Sequence, residues 1–352
     1  RWFYFKSNGK KVKAEDGDYQ KGRTINGRKY EFDEYGAMTA EWSLDKNEVG
    51  TSSLASEYST ASDNSVIAKY AQQWRYFNSV EDGSRVSKGW FKVVAAEYLN
   101  YDKYNDDEDA WYYADGSGNL YAGEFKTIKG KKYAFRNDGR MVDGLKFIKD
   151  LDGELDVQAD DSDMGHFDTE DDFLENAPKY DKAEYYCYYF GDAEDGAMKT
   201  GRTTIEIDGE NFTFNFETSG SKKGRGTTGV DDDKIYQSGM LLKAGSDEKY
   251  QVVKQDLTNE TFTKLDDAEG FLDEWGLTEV SPYDVDLAAL GITRKAEDID
   301  ELYIIPKYDK DKYTLVNTSG KIIDRKSRNK DGNDFIYCVD ASGVIKAIYT
   351  EQ

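Results

Sequence analysis

Short stretches in which rings alternate with polar residues, separated by glycine-bearing turns, run along most of the chain. In Lys29-Tyr30-Glu31-Phe32-Asp33 and Asn211-Phe212-Thr213-Phe214-Asn215 every second residue is aromatic. Successive side chains on a strand point to opposite faces, so the rings of each stretch fall on one face. Asn26-Gly27, Asp208-Gly209, Asn8-Gly9 and Asp138-Gly139 supply residues that tolerate the positive φ of tight turns. The pattern predicts β-hairpins. A lone hairpin is marginal in water, so each ring face must be buried on the next hairpin, which implies a quasi-one-dimensional stack. The low proline content, three residues in 352, agrees with strands that need their N–H donors.

The stretches are copies of one another. Thr24 to Met38 and Thr127 to Met141 share T-I-x-G-[RK]-K-Y-x-F-x-x-x-G-x-M without a gap, eight identities in fifteen positions. A looser rule places an apolar residue four positions before a glycine and another two after it. It fits Ala114/Gly118/Leu120, Ile235/Gly239/Leu241, Val316/Gly320/Ile322 and Val339/Gly343/Ile345, with a degenerate copy from Ile207 to Gly220. A second kind of unit has Trp or Tyr two residues before Tyr and then a turn: Trp2/Tyr4, Trp74/Tyr76, Trp111/Tyr113 and Tyr186/Tyr188. The predicted fold class is therefore mostly β, a solenoid of stacked β-hairpin repeats with a small helical insertion.

Breaks in the pattern suggest the organisation. A hairpin array over 1–149 carries a non-repeating insertion at 43–72, Ser/Ala/Thr-rich from Thr51 to Ser65 and predicted helical from Ser65 to Trp74. Residues 150–183, with the acidic run Gln158 to Glu175, read as an exposed connection. A second, degenerate array covers 184–256. In 257–306, Phe262, Leu265, Ala268, Leu272 and Trp275 recur at helical spacing with Gly276 as a stop. Ser281-Pro282 looks like the start of another short helix ending at Gly291. Residues 307–352 are expected to be terminal capping hairpins.

Composition narrows the function. Lys and Arg number 47 and Asp and Glu 70, a formal charge of −23, so nucleic-acid phosphate and anionic lipid should be repelled. No apolar run approaches the roughly 18 residues a membrane span needs, and 14% aromatic residues argue against disorder. Cys187 and Cys338 are too few and too far apart for a disulfide framework, and a single histidine, His166, disfavours a His-based triad or multi-His metal site. A start at Arg1 suggests part of a longer protein. No cofactor and no metal is expected. Asp150-Leu151-Asp152-Gly153-Glu154 and Asp160 to Asp163 offer oxygen atoms but do not fit a calcium loop. Nothing singles out a catalytic pair of carboxylates, so the fragment is read as no enzyme.

The fifteen-residue motif, with Gly89-Trp90 and Trp111-Tyr112-Tyr113, resembles the cell-wall-binding repeats of Gram-positive surface proteins. That group includes choline-binding modules, glucan-binding repeats and the repeat region of clostridial toxins. The likeness covers about residues 1–42, 73–148 and 184–242. It implies a non-catalytic, extracellular, cell-wall-associated attachment module. The implied partner is a cell-wall polymer (teichoic-acid choline, peptidoglycan or glucan), bound without nucleic acid or membrane insertion. It further implies rings of adjacent hairpins forming a cage, with each ring worth about 0.5–2 kcal/mol to a quaternary ammonium. Carried over by position, one cage uses Trp90, Trp111 and Tyr113, a second Trp42, Trp74 and Tyr76, and a third would start from Trp2 and Tyr4. The inserted loop Tyr98 to Asp109 is placed to disturb the first, and the loss of Trp from the hairpin units after residue 184 speaks against cages there. The ordinary role of such rings is to fill the core, which leaves a structural or adhesive spacer as the alternative function.

Overall fold

The computed structural model describes residues 1–49, 64–158, 167–265, 270–272, 277–306, 310–325 and 328–352. Most of the linker from Thr51, together with Asp160 to Asp163, His166 and Trp275, lies outside them. The chain forms two compact units, Arg1–Val157 with Tyr189–Met198, and Gln158–Tyr188 with Lys199–Gln352. Both are built mostly of β-strands.

The first unit is a series of antiparallel hairpins. β1 (Gln20–Ile25) pairs with β2 (Arg28–Asp33), and β3 (Glu41–Leu44) with β4 (Trp74–Phe77). β5 (Gly89–Val94) pairs with β6 (Asp109–Ala114), and β7 (Glu124–Ile128) with β8 (Lys131–Phe135). β9 (Leu145–Asp150) and β10 (Leu155–Gln158) follow. Asn26-Gly27 and Lys129-Gly130 close two of the hairpins with both residues at positive φ (49° and 81°, 49° and 82°), the conformation that matches strand twist.

A second turn recurs after each hairpin and explains the looser repeat rule. At Asp33, the N–H donates to the carbonyl of Ala37, the carbonyl accepts from Gly36, and the side chain accepts from the N–H groups of Tyr35 and Ala37. Asp115 makes the same bonds with Asn119, Gly118 and Ser117. In the second unit Asn317 and Asp340 do likewise. A short acceptor side chain satisfying the backbone two and four residues on fixes the turn locally. The flanking apolar residues then face each other as isolated bridges: Phe32 with Met38, Ala114 with Leu120, Phe135 with Met141, Val316 with Ile322.

Most of these turns are also tied to the previous hairpin. The N–H of the exit residue donates to a carbonyl three residues before the preceding turn's entry ring or alanine: Met38 to Trp2, Arg85 to Lys29, Met141 to Trp111 and Met198 to Lys132, all at 2.8 Å. In the second unit Gly226 donates to Cys187 and Ile322 to Asp233 in the same way. The turn glycine sits against the earlier turn. A Cβ on Gly36 would lie 2.8 Å from the Val12 carbonyl, one on Gly83 2.3 Å from Met38, and one on Gly139 3.0 Å from Leu120.

Insertions hang on this frame. α1 (Lys46–Val49) and α2 (Asn64–Ala71) lie between β3 and β4, the latter close to the expected helix. α3 (Tyr101–Asn105), capped by Asn100, occupies the loop between β5 and β6. That loop does not disturb its hairpin: pairing runs in register from Gly89–Ala114 to Val94–Asp109.

In the second unit α4 (Glu170–Lys182) takes up the end of the acidic run that the sequence suggested was exposed. Thr169 caps it, three acids fill its first turn, and Phe173, Leu174 and Ala177 are buried. Phe173 meets Phe214 edge-on at 5.4 Å. β11 (Tyr186–Tyr189) follows. β12 (Gly201–Ile207), β13 (Glu210–Phe216), β14 (Gly229–Asp231), β15 (Lys234–Gln237) and β16 (Met240–Leu241) form a sheet in the order β12-β13-β16-β15-β14. Phe212, Phe214 and Phe216 are all buried packing residues.

Beyond residue 249 local hairpins, β17 with β18 and β22 with β23, are joined by long-range pairing, and within 257–306 residues 270–272 are helical. β17 (Tyr250–Asp256) pairs with β18 (Thr261–Lys264) on one edge and β20 (Asp311–Asn317) on the other. β19 (Ile299–Ile304) joins β23 (Ile345–Glu351), β22 (Ile336–Val339) and β21 (Asn329–Lys330). Phe262 is thus a strand residue, not the start of a helix. Its N–H donates to Gln237 Oε1 and it lies opposite Gln255. The stretch from Ser281 to Gly291 forms successive turns, with Asp286 accepting from Ala289 N, while Val285, Leu287 and Leu290 pack around Ile292 and Leu302. Cys187 and Cys338 are separate, buried thiols, each pushed up by burial, Cys338 to about 12.

Gly36→Ala should destabilise the first unit by about 1–3 kcal/mol, because φ of +81° and a backbone carbonyl both oppose a Cβ. Urea unfolding followed by tryptophan fluorescence checks this. Gly27→Ala, also at positive φ but with open space around it, should cost less.

Candidate functional site

The rings singled out from the sequence assemble into two clusters of matching geometry in the first unit. In one, Trp42 of β3 lies opposite Tyr76 of β4, and in the other Trp90 of β5 lies opposite Tyr113 of β6. Trp42 is 6.2 Å from Trp74, 5.2 Å from Tyr76 and 5.0 Å from Tyr112 of the following hairpin. Trp90 is 6.4 Å from Trp111, 5.1 Å from Tyr113 and 4.9 Å from Tyr133 of the following hairpin. All six contacts are edge-to-face. Each such pair contributes about 0.5–1.5 kcal/mol beyond burial. The expected third cluster does not form. Trp2 is 57% exposed with no ring against it among the described residues, and Tyr4 meets only Phe32, at 6.4 Å.

The two clusters differ in what covers them. Around Trp42 the insertion closes the space. Tyr70 of α2 packs edge-on against Trp74 at 6.1 Å, and Tyr70, Ala71, Leu99, Trp74 and Tyr112 belong to one buried core. Trp42 donates its Nε1–H to the Val94 carbonyl at 2.7 Å. Burial holds the Tyr112 phenol far above its ordinary range, so it stays neutral. Trp74 and Tyr112 are core here, while Trp42 and Tyr76 pack on them and keep part of their surface in solvent.

The cluster around Trp90 is open on one side. Tyr113, Tyr133 and Phe135 are buried beneath it, while Trp90, Trp111 and Tyr121 pack on them and keep part of their surface in solvent. Tyr121 stacks on Tyr113 at 5.2 Å. Trp111 carries a charged rim. Its Nε1–H donates to Glu194 Oε2 at 3.1 Å, Lys92 Nζ bonds Glu194 Oε1 at 2.5 Å, and Lys92 Nζ lies 5.9 Å from the Trp111 ring centre. The hydrogen bond from Lys92, with that from Trp111, holds Glu194 below the usual carboxylate range, and the same bond lifts Lys92, so the pair stays ionised through neutral pH.

Tyr133, Tyr121, Lys92 and Glu194 were not singled out from the sequence. Tyr133 was findable, since it is the tyrosine of the repeated K-K-Y and falls one hairpin after Trp111. Glu194 carries no signal, because only the fold returns Tyr189–Met198 to this hairpin. Asp150 accepts from the N–H of Asp152 within its own turn. Among the described residues no group of three or more acids, histidines or cysteines is arranged to hold a metal.

No protein-family model and no curated protein matches the chain. Solved structures do. Choline-binding protein CbpJ of Streptococcus pneumoniae aligns over 97% of this chain and 96% of its own, with 15% identity and a TM-score of 0.26. Choline-binding protein F of the same organism aligns over 97% of both chains, with 15% identity and a TM-score of 0.23. The modular autolysin LytC of S. pneumoniae aligns over 71% of this chain, with 18% identity and a TM-score of 0.30, and the match spans only 38% of the autolysin. The chain is similar to choline-binding proteins. The matches are distant, and what the rings can do follows from their own geometry. Partly exposed indole faces beside a fixed carboxylate accept a cation or the C–H face of a sugar.

Trp74→Ala should cost about 3–5 kcal/mol in chemical unfolding, as for other buried Trp truncations. Trp111→Ala, on the open cluster, should cost clearly less. Equal losses would show that the second cluster is packed core as well.

Proposed function

We propose that the chain is a non-catalytic attachment module for a cell-wall polymer, seating choline or a sugar on Trp90, Trp111, Tyr113 and Tyr133. The observation that carries this reading is the repeated ring constellation in which one copy has Trp74 buried under an insertion and the other leaves Trp111 partly exposed, with Glu194 at its rim. In this reading the hairpins stack as a solenoid, supported by the recurring bond from most turns to the hairpin before them. The protein works outside the cell, on the wall. The second unit is proposed as a spacer or adhesive part, since its units lack Trp and the exposed face of Tyr186 is already taken by Arg225, 3.8 Å from the ring centre.

Titration of the full chain with choline, teichoic acid, peptidoglycan and α-glucan, read by calorimetry and tryptophan fluorescence, tests this. Saturable binding of at least one is expected, weakened about tenfold by Trp111→Ala, the equivalent of ~1.4 kcal/mol. Binding of none would overturn it. Lys92→Gln separates the ligand classes: removing the cation already beside Trp111 should tighten choline several-fold and leave a neutral glucan unchanged.

A further inference from the structure

The two ring clusters have a register counterpart one hairpin earlier in which none of the four equivalent positions carries a ring, although Tyr30 and Phe77 line the space. The position of Trp42 and Trp90 is held there by Gly22, which lies opposite Glu31 as those tryptophans lie opposite Tyr76 and Tyr113. The position of Trp74 and Trp111 is held by Lys29. Its carbonyl receives the Arg85 N–H just as the Trp111 carbonyl receives that of Met141. The place of Tyr112 and Tyr133, on the following hairpin, is held by Arg75. Replacement of these four rings leaves a cleft of about 610 Å³ there.

Bases line this cleft: Arg23, Lys29, Arg75 and Arg85, against two acids, Glu31 and Asp45. Both acids are already engaged. Asp45 holds Arg75 at 2.6 Å, and buried Glu31 accepts from Ser43 and Thr39. Arg23, Lys29 and Arg85 form no ion pair among the described residues, although the chain has 23 more acidic than basic groups. Burial, then the neighbouring Arg75, press Arg85 below the usual arginine range, while Asp115 and Glu31 act in the opposite sense. Guanidinium and ammonium donors converging on one open space suit a tetrahedral oxyanion with several acceptor atoms.

We propose that the cleft between the first two hairpins is a phosphate-binding site, with Lys29 and Arg85 as its principal ligands and Arg23 at its edge. It is independent of the aromatic site, which uses other hairpins.

Calorimetric titration of the full chain at low ionic strength with inorganic phosphate, a poly(glycerol phosphate) and acetate tests the assignment. Saturable phosphate binding is expected, weakened at least tenfold by Lys29→Gln with Arg85→Gln and unchanged by Trp111→Ala. Because Arg85 packs against Gly118, the exposed Lys29→Glu serves as a second variant that should fold normally and also bind several-fold more weakly. Tighter binding of the polymer than of inorganic phosphate would support the site and assign it to a phosphodiester chain; the reverse would support it and assign it to a free or terminal phosphate. No saturable phosphate binding, full binding by Lys29→Glu, or acetate bound as tightly as phosphate would each overturn the proposal.

Discussion

The first unit depends on a recurring backbone hydrogen bond, from the residue leaving a turn to a carbonyl of the hairpin before it. A two-stranded ribbon cannot bury its own ring face, so it needs a neighbour at a defined offset. The bond sets that offset, and the turn glycine makes it attainable by letting successive turns approach closely. Met38, Arg85, Met141 and Met198 all make the bond at the same length. Side chains at corresponding positions of successive hairpins therefore meet in the same way each time.

This regularity makes substitution at equivalent positions informative. Trp42 with Tyr112 and Trp90 with Tyr133 repeat to within a tenth of an ångström, at 5.0 and 4.9 Å. Function then turns on what surrounds a constant geometry. Where α2 supplies Tyr70 and Ala71, Trp74 is buried into the core. Where Tyr189–Met198 supplies only Glu194, the equivalent Trp111 keeps an open face. Where the rings are replaced by Gly22, Lys29 and Arg75, the same location becomes a basic cleft.

The second unit keeps the local turns but adds long-range pairing to its local hairpins toward its end. Asn317 and Asp340 form the same turn as Asp33, yet β17 reaches across more than fifty residues to β20. A strand with an unpaired edge takes whatever partner the fold delivers. Phe262 sits in β18, which pairs with β17 across a short turn, so its helical spacing with Leu265 gives way to a hairpin.

Much of this was legible in the residues alone. The ring alternation, the turn dipeptides and the repeat period determined the hairpins, their turns and the pairing of Trp90 with Tyr113, because those interactions are short-range and encoded within a few residues. The helix near Ser65 to Trp74 was legible for the same reason. The tertiary structure decided which cluster is closed and which is open, the arrival of Glu194 beside Trp111, the burial of α4 and the long-range sheets at the end of the chain. Each of those depends on segments distant in sequence meeting in space, and no local pattern records which distant segment will cover a given face.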